Sequence, residues 1–360
     1  MRPPGFQGIL VLALLAGCAA HELPVAVVDN AEYSVATGMR FLGRGQYGPA
    51  LAEFERARAL NENFAPAYLG IALAKAHVAD AGSAMAALEE ARRRNATSVH
   101  ATAIRVLTIL KPPKWLDQAE REFEAGGGKS ARDPELLLAM GRAYKAAFAF
   151  DRAAALLSQV LAQKRGGEAE AVEEVRALEK IQRAAPASET AKRVALKGQV
   201  TRGELAALLV EEMGWPRLPE ATRQAVEPAM AYSFATDLEE SPHREVVEAL
   251  LTRPVRGLRL FPDQTFAPDL PVSREVFAIV LEDILLRVKG DDLRGAAPVT
   301  SGSPFSDLPA DHFALSAAIL LTRGGILEGR PDGSFGPRES VPGPDVLLAL
   351  RRLREVLQAP

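Results

Sequence analysis

This 360-residue chain has a single cysteine and five histidines. One cysteine excludes an intramolecular disulfide framework. Neither Gly-x-Ser-x-Gly nor HExxH occurs, and neither His243 nor His312 has a second histidine or a cysteine at ligand spacing, so no enzyme, metal or cofactor is expected. A formal charge of −3 argues against a general nucleic-acid binder. The N-terminal apolar run, Ile9 to Ala16, is far shorter than the roughly 20 residues a membrane-spanning helix needs. β-branched alternation is scarce from Ala31 to about Ala185, which excludes a sheet there. What remains is ordinary globular composition, 48% apolar and 25% charged, at a length suited to two or three domains.

The short apolar run follows Arg2 and ends Leu15-Ala16-Gly17-Cys18. That ending resembles the lipobox of bacterial lipoproteins. The resemblance implies a signal peptide at 1–17, lipid on Cys18 and a tether at 18–30. Several acyl chains anchor stably where one is marginal. Ala19, rather than aspartate, implies the periplasmic face of the outer membrane.

Residues 31–184 read as successive helices with a 34-residue self-similarity. Gly38 maps to Ala72, Ala50 to Ala84, Phe54 to Leu88 and Ala57 to Ala91. Small residues at these spacings let two helices approach, and Phe54 and Leu88 fill the gap. Lys111-Pro112-Pro113 stops one helix and starts another near 114–125, and Asp133-Pro134 opens a fourth unit. The charged helix Glu168–Arg183 reads as a solvating end cap. The pattern resembles tetratricopeptide repeats, a helical-hairpin solenoid, and implies a protein partner on the repeat groove. Gly128-Lys129-Ser130 looks like the end of a phosphate-binding loop. Phe123 stands where that loop needs its first glycine, and a helix precedes it, so an inter-repeat loop is expected.

After a linker at 185–197, a detailed pattern occurs twice in residues 198–360. LFPDQTFAPDLPVSRE at 260–275 and GRPDGSFGPRESV at 329–341 are offset by 69 residues. Each follows Leu-Leu-Thr-Arg, and further upstream lies an aspartate with a histidine: Asp237 with His243, Asp307 with His312. Proline and aspartate make the tetrads at 262–265 and 331–334 turns, with Phe266 and Phe335 as plugs behind them. Three helix starts belong to the same pattern. Thr201 and Glu204 have capping-box spacing, with Arg202 between them projecting outward. Ser273 caps the second, beside Arg274 and Glu275; the third, Val341-Pro342-Gly343-Pro344-Asp345, has no arginine.

Phe305-Ser306-Asp307, the glycine turn at 324–326 and Gly329 to Pro337 resemble the S-layer homology (SLH) domain. That resemblance implies an α-helical, pseudo-threefold fold: two full modules and a partial one. It also implies non-covalent binding of cell-wall glycan, peptidoglycan or an acidic wall polymer. Arg202 and Arg274 would contact the ligand, supported by Thr201, Ser273, Glu204 and Glu275. The whole chain is therefore expected to be mainly α, a solenoid followed by an SLH-like region, tied to the envelope by lipid at one end and glycan at the other. The alternative is an envelope assembly or secretion scaffold whose SLH-like region is a spacer.

Overall fold

The structure, a computed structural model, describes residues 30–218, 235–290 and 302–358. Cys18, the signal peptide and nearly all of the expected tether lie outside the described residues. Among those described, the chain is mainly helical and no helix is long and apolar enough to cross a membrane. Many helix starts follow from a short polar side chain that accepts a free N–H of the first turn. Asn30 accepts from Tyr33, Asp80 from Ser83, Asp133 from Glu135 ahead of Pro134, Ser188 from Ala191 and Ser273 from Val276.

The first eight helices form four successive hairpins. These are α1 (Ala31–Gly43) with α2 (Tyr47–Leu60), α3 (Ala65–His77) with α4 (Ala81–Arg93), α5 (Val99–Leu110) with α6 (Trp115–Ala125), and α7 (Pro134–Ala146) with α8 (Phe150–Gln163). The 34-residue correspondence is a packing rule. Ala50, Phe54, Ala57, Ala72, Ala84, Leu88 and Ala91 are all fully buried. The Phe54 ring lies against both Gly38 and Gly70, and a Cβ on either would overlap it. Burying such a ring contributes roughly 1.5–3 kcal/mol. Gly141 against Leu157 repeats the arrangement in the fourth hairpin. Gly128-Lys129-Ser130 is a single 3-10 turn after α6, an inter-hairpin loop.

The array does not end in a free cap. Helix α9 (Glu168–Ala184) buries Leu178 and Ile181 and packs on both α8 and the last helix of the chain, α15 (Gly343–Gln358). Lys180 of α9 bonds Asp345 of α15. The stretch read as a linker, 185–197, carries a further helix, α10 (Glu189–Val194), whose Ala191 and Val194 are buried. One apolar core therefore runs from Ala101 to Leu353. These differences share a cause: the charged positions of α9 face outward, while its alanine and leucine stripe needs a partner surface that a sequence window does not show.

The C-terminal region contains α11 (Arg202–Glu211), α12 (Arg244–Leu251), α13 (Arg274–Lys289), α14 (Leu315–Arg323) and α15. Its three helix starts close on one another. Val272 N–H donates to Val200 O (2.9 Å), Val200 N–H to Val341 O (3.1 Å) and Val341 N–H to Val272 O (3.3 Å). All three valines are buried. This cyclic set of bonds at equivalent positions is the pseudo-threefold centre.

Candidate functional site

Around this centre, two loops repeat the same geometry. In the first, Asp263 accepts Thr265 N–H (3.0 Å), and in the second Asp332 accepts Ser334 N–H (2.9 Å), which closes each proline-led turn. The phenylalanines behind the turns, Phe266 and Phe335, are 0% and 1% exposed. The upstream aspartates clamp the backbone just there. Asp237 accepts the N–H groups of Phe266 (2.8 Å) and Ala267 (2.7 Å); Asp307 accepts those of Phe335 (2.6 Å) and Gly336 (2.7 Å). Sequence spacing marked these aspartates but did not reveal that each serves two N–H groups in a loop almost thirty residues away.

The clamp has a pH signature. Burial pushes the Asp307 carboxyl up, but the N–H groups of Phe335 and Gly336, with Arg330 nearby, outweigh it and hold the pKa below the ordinary value. A depressed folded pKa gives stability that is complete above the unfolded value, about 3.9, and lost as pH falls through the folded one. Protection of the Phe335 and Gly336 amides, relative to their intrinsic exchange rates, should therefore be high at neutral pH and fall only below about pH 4. Asp307→Asn should abolish the pH dependence of that protection and lower it throughout, as hydrogen-exchange NMR would show.

The arginines do not behave as expected. Arg202 projects inward, not outward, and is 5% exposed. Its guanidinium donates from Nε to Phe266 O (2.8 Å), from Nη1 to Gly257 O (2.7 Å) and from Nη2 to Arg259 O (2.8 Å). Phe261 and Phe266 lie against it, 4.7 and 4.8 Å from ring centre to guanidinium carbon. Burial lowers its pKa to about 10, with Asp237 opposing. The reason for the inward turn is that loop: among the described residues its three carbonyls meet no other donor, and a planar fork matches them at once.

Arg274 is held less. Its Nη2 donates to Glu328 O (2.6 Å), the ring of Phe335 lies 5.0 Å away, and its buried Nε has no hydrogen-bond partner among the described residues. Arg330 stands beside it, bonded by both Nη atoms to the Glu339 carboxylate (2.8 and 2.6 Å). Burial and then Arg330 lower the Arg274 pKa, with Asp345, Glu339 and Glu328 opposing. Arg352 pairs with Glu328 on the same side (3.1 Å). Here a sequence-predicted arginine, partly exposed, lies in the field of a second guanidinium.

Three of the supporting residues, Thr201, Glu204 and Ser273, are caps. Thr201 and Glu204 form the reciprocal capping box, and Glu204 also pairs with Lys197. Ser273 caps α13 without the reciprocal half. Glu275 faces His312 Nε2 at 3.4 Å, while His312 Nδ1 accepts Ala314 N–H (3.2 Å), which places the ring proton toward Glu275. His243 precedes α12 with its ring against Gly203. Among the described residues no group of three His, Cys, Asp or Glu side chains is placed to hold a metal ion.

The third helix start differs in kind. Gly343 occupies the position of Arg202 and Arg274, and its N–H donates to Lys197 O (2.9 Å), as theirs donate to Leu270 O and Glu339 O. A Cβ at Gly343 would lie 1.7 Å from the Val194 carbonyl oxygen, about half a contact distance. Helix α10 thus fills the slot that a loop occupies in the other two.

Residues 304–341 match the S-layer homology domain. The SLH match begins at the Phe305-Ser306-Asp307 lead-in and ends at Val341 of the central ring. The chain is also similar to Cell surface glycoprotein 1 of Acetivibrio thermocellus, 32% identical over 105 residues. That alignment covers 29% of this chain and 4% of the relative, so the chain spans a small part of that protein's length.

Proposed function

We propose that this is a lipid-anchored cell-envelope protein that binds wall glycan non-covalently through its SLH region and a protein partner through its tetratricopeptide-like array. The SLH match at 304–341, together with the same loop-and-clamp geometry at 237–271, carries the reading. Arg274 is the proposed contact for an acidic group of the glycan, since its guanidinium is partly exposed and spends a single hydrogen bond on Glu328 O, while the neighbouring Arg330 is already matched to Glu339. Arg202 acts by holding the loop next to the site. Thr201, Glu204, Ser273 and Glu275 fix the helix starts from which both arginines project. Lipid on Cys18 supplies the membrane end, on the periplasmic face of the outer membrane.

The scaffold alternative has one observation in its favour: Arg202 and the Gly343 slot are committed to internal packing. Cosedimentation with purified wall sacculi separates the two. Because the array and SLH region share a core, the unit to test is the whole chain from residue 19. Retention is expected for the native sequence, and Arg274→Ala should weaken it roughly tenfold or more, the value of one charge-assisted contact. No retention of the native chain sinks the glycan reading. Separately, Cys18→Ser should abolish incorporation of a labelled lipid precursor.

A further inference from the structure

Phe313 is the most exposed large apolar side chain among the described residues, at 64%. A lone exposed apolar residue is ordinary and implies nothing by itself. This one is held in place. Its ring stacks on the His312 imidazole, with centres 4.5 Å apart and planes 25° from parallel. His312 is fixed in turn from two sides: Nδ1 accepts Ala314 N–H (3.2 Å), and Nε2 lies 3.4 Å from the Glu275 carboxylate. One face of the phenyl ring is therefore covered by the imidazole and the other is turned to solvent. Glu275 follows Arg274 directly at the start of α13, so the ring and the arginine are both tied to one helix start.

The first copy of the pattern keeps the histidine and lacks the rest. Gly203 stands in the place of Glu275, and a Cβ there would lie 2.7 Å from the His243 ring. Arg244 stands in the place of Phe313 and pairs with Glu248 of its own helix (2.9 Å). The arginine of that copy, Arg202, is spent on three loop carbonyls. A partly exposed arginine, a glutamate behind the histidine and an open aromatic face thus occur together at one helix start and are missing together at the other. Packing does not link them, since both copies keep the same turn and the same aspartate clamp. A sugar does. One face of a pyranose ring is made of C–H groups, whose partial positive charge suits the negative face of a π-system, while a guanidinium takes an acidic substituent. We propose that Phe313 is the stacking platform for a pyranose ring of the glycan whose acidic group meets Arg274, and that Glu275 positions it through His312. The proposal rests on the reading that the SLH region binds glycan at Arg274, and it adds the part of that site that recognises the sugar itself.

Cosedimentation of the chain from residue 19 with purified sacculi tests it. Phe313→Ala should bind roughly fivefold more weakly, the value of one aromatic contact, and keep a native urea midpoint because the ring is exposed. Arg244→Ala, the same position in the first copy, should bind as the native chain does. Glu275→Ala should lose about twofold, and Glu275→Gln, which can still accept from His312 Nε2, should restore native binding. Phe313→Trp should bind natively and report the contact directly. Glycan strands freed of stem peptides by an amidase should shift its fluorescence to the blue, a shift absent from the native chain, whose two tryptophans lie elsewhere. Unchanged binding by Phe313→Ala, an equal loss in Arg244→Ala, or an unshifted Phe313→Trp would overturn the platform. Glu275→Gln binding no better than Glu275→Ala would overturn the positioning role. A native chain that is not retained at all fails earlier, at the glycan reading, and takes the platform with it.

Discussion

Gly343→Ala should destabilise the C-terminal region by roughly 3 kcal/mol or more, a large effect for one added methyl group. The added Cβ meets a backbone carbonyl, that of Val194, which has no rotamer to escape into. Relief requires α10 to move, and that breaks the Gly343 to Lys197 bond and exposes Ala191 and Val194, both buried. Urea unfolding followed by far-UV circular dichroism should show a lower midpoint, and the α10 amides should exchange faster. Gly329→Ala is the control: its Cβ would make an ordinary contact with Thr322 at 3.5 Å, so its effect should stay within about 0.5 kcal/mol. A Gly343→Ala protein with native midpoint and native α10 exchange would mean that the slot is not closed by α10.

The closed slot explains why the strongest loop motif leads into the helix that lacks an arginine. Each arginine serves the loop of the following module: Arg202 binds the carbonyls of Gly257, Arg259 and Phe266, and Arg274 binds that of Glu328. By rotation around the central ring, Gly343 would serve a loop before α11. No such loop exists, because only a few residues separate α10 from α11. Arginine is present where its loop is present and absent where the loop is absent. In chain order Arg274 follows the loop at 260–271, yet the loop it bonds is the one after its own helix.

Much of the rest was legible. Phe54 and Leu88 at a 34-residue spacing announced the hairpins, and Thr201 with Glu204 announced a cap that the structure contains. Those features are local, set by residues three or four apart or by a fixed repeat. The docking of α9 on α15 and the inward turn of Arg202 depend on partners 55 to 165 residues away. Segment-level patterns do not encode such pairings.

Arg202→Met should cost more than any other single change at the central ring apart from Gly343. Methionine keeps most of the bulk against Phe261 and Phe266 but removes the donors, leaving three inward-facing carbonyls without partners. Each unmet group costs about 1–3 kcal/mol, and the two part-buried carbonyls that water can reach fall at the lower end, so a loss of roughly 3–5 kcal/mol is expected. Arg202→Lys should recover part of it, because an ammonium can reach one carbonyl but lacks the planar fork. Arg274→Met, with a single such bond, should lose only about 1–2 kcal/mol. The order of urea midpoints should therefore be native, Arg274→Met, Arg202→Lys, Arg202→Met. Wall retention should fall in the Arg202 variants only as far as unfolding predicts, whereas Arg274→Met should lose retention while still folded. An Arg202→Met protein with a native midpoint and no retention would make that arginine a ligand contact, and the role of loop staple would pass to the aspartate clamps alone.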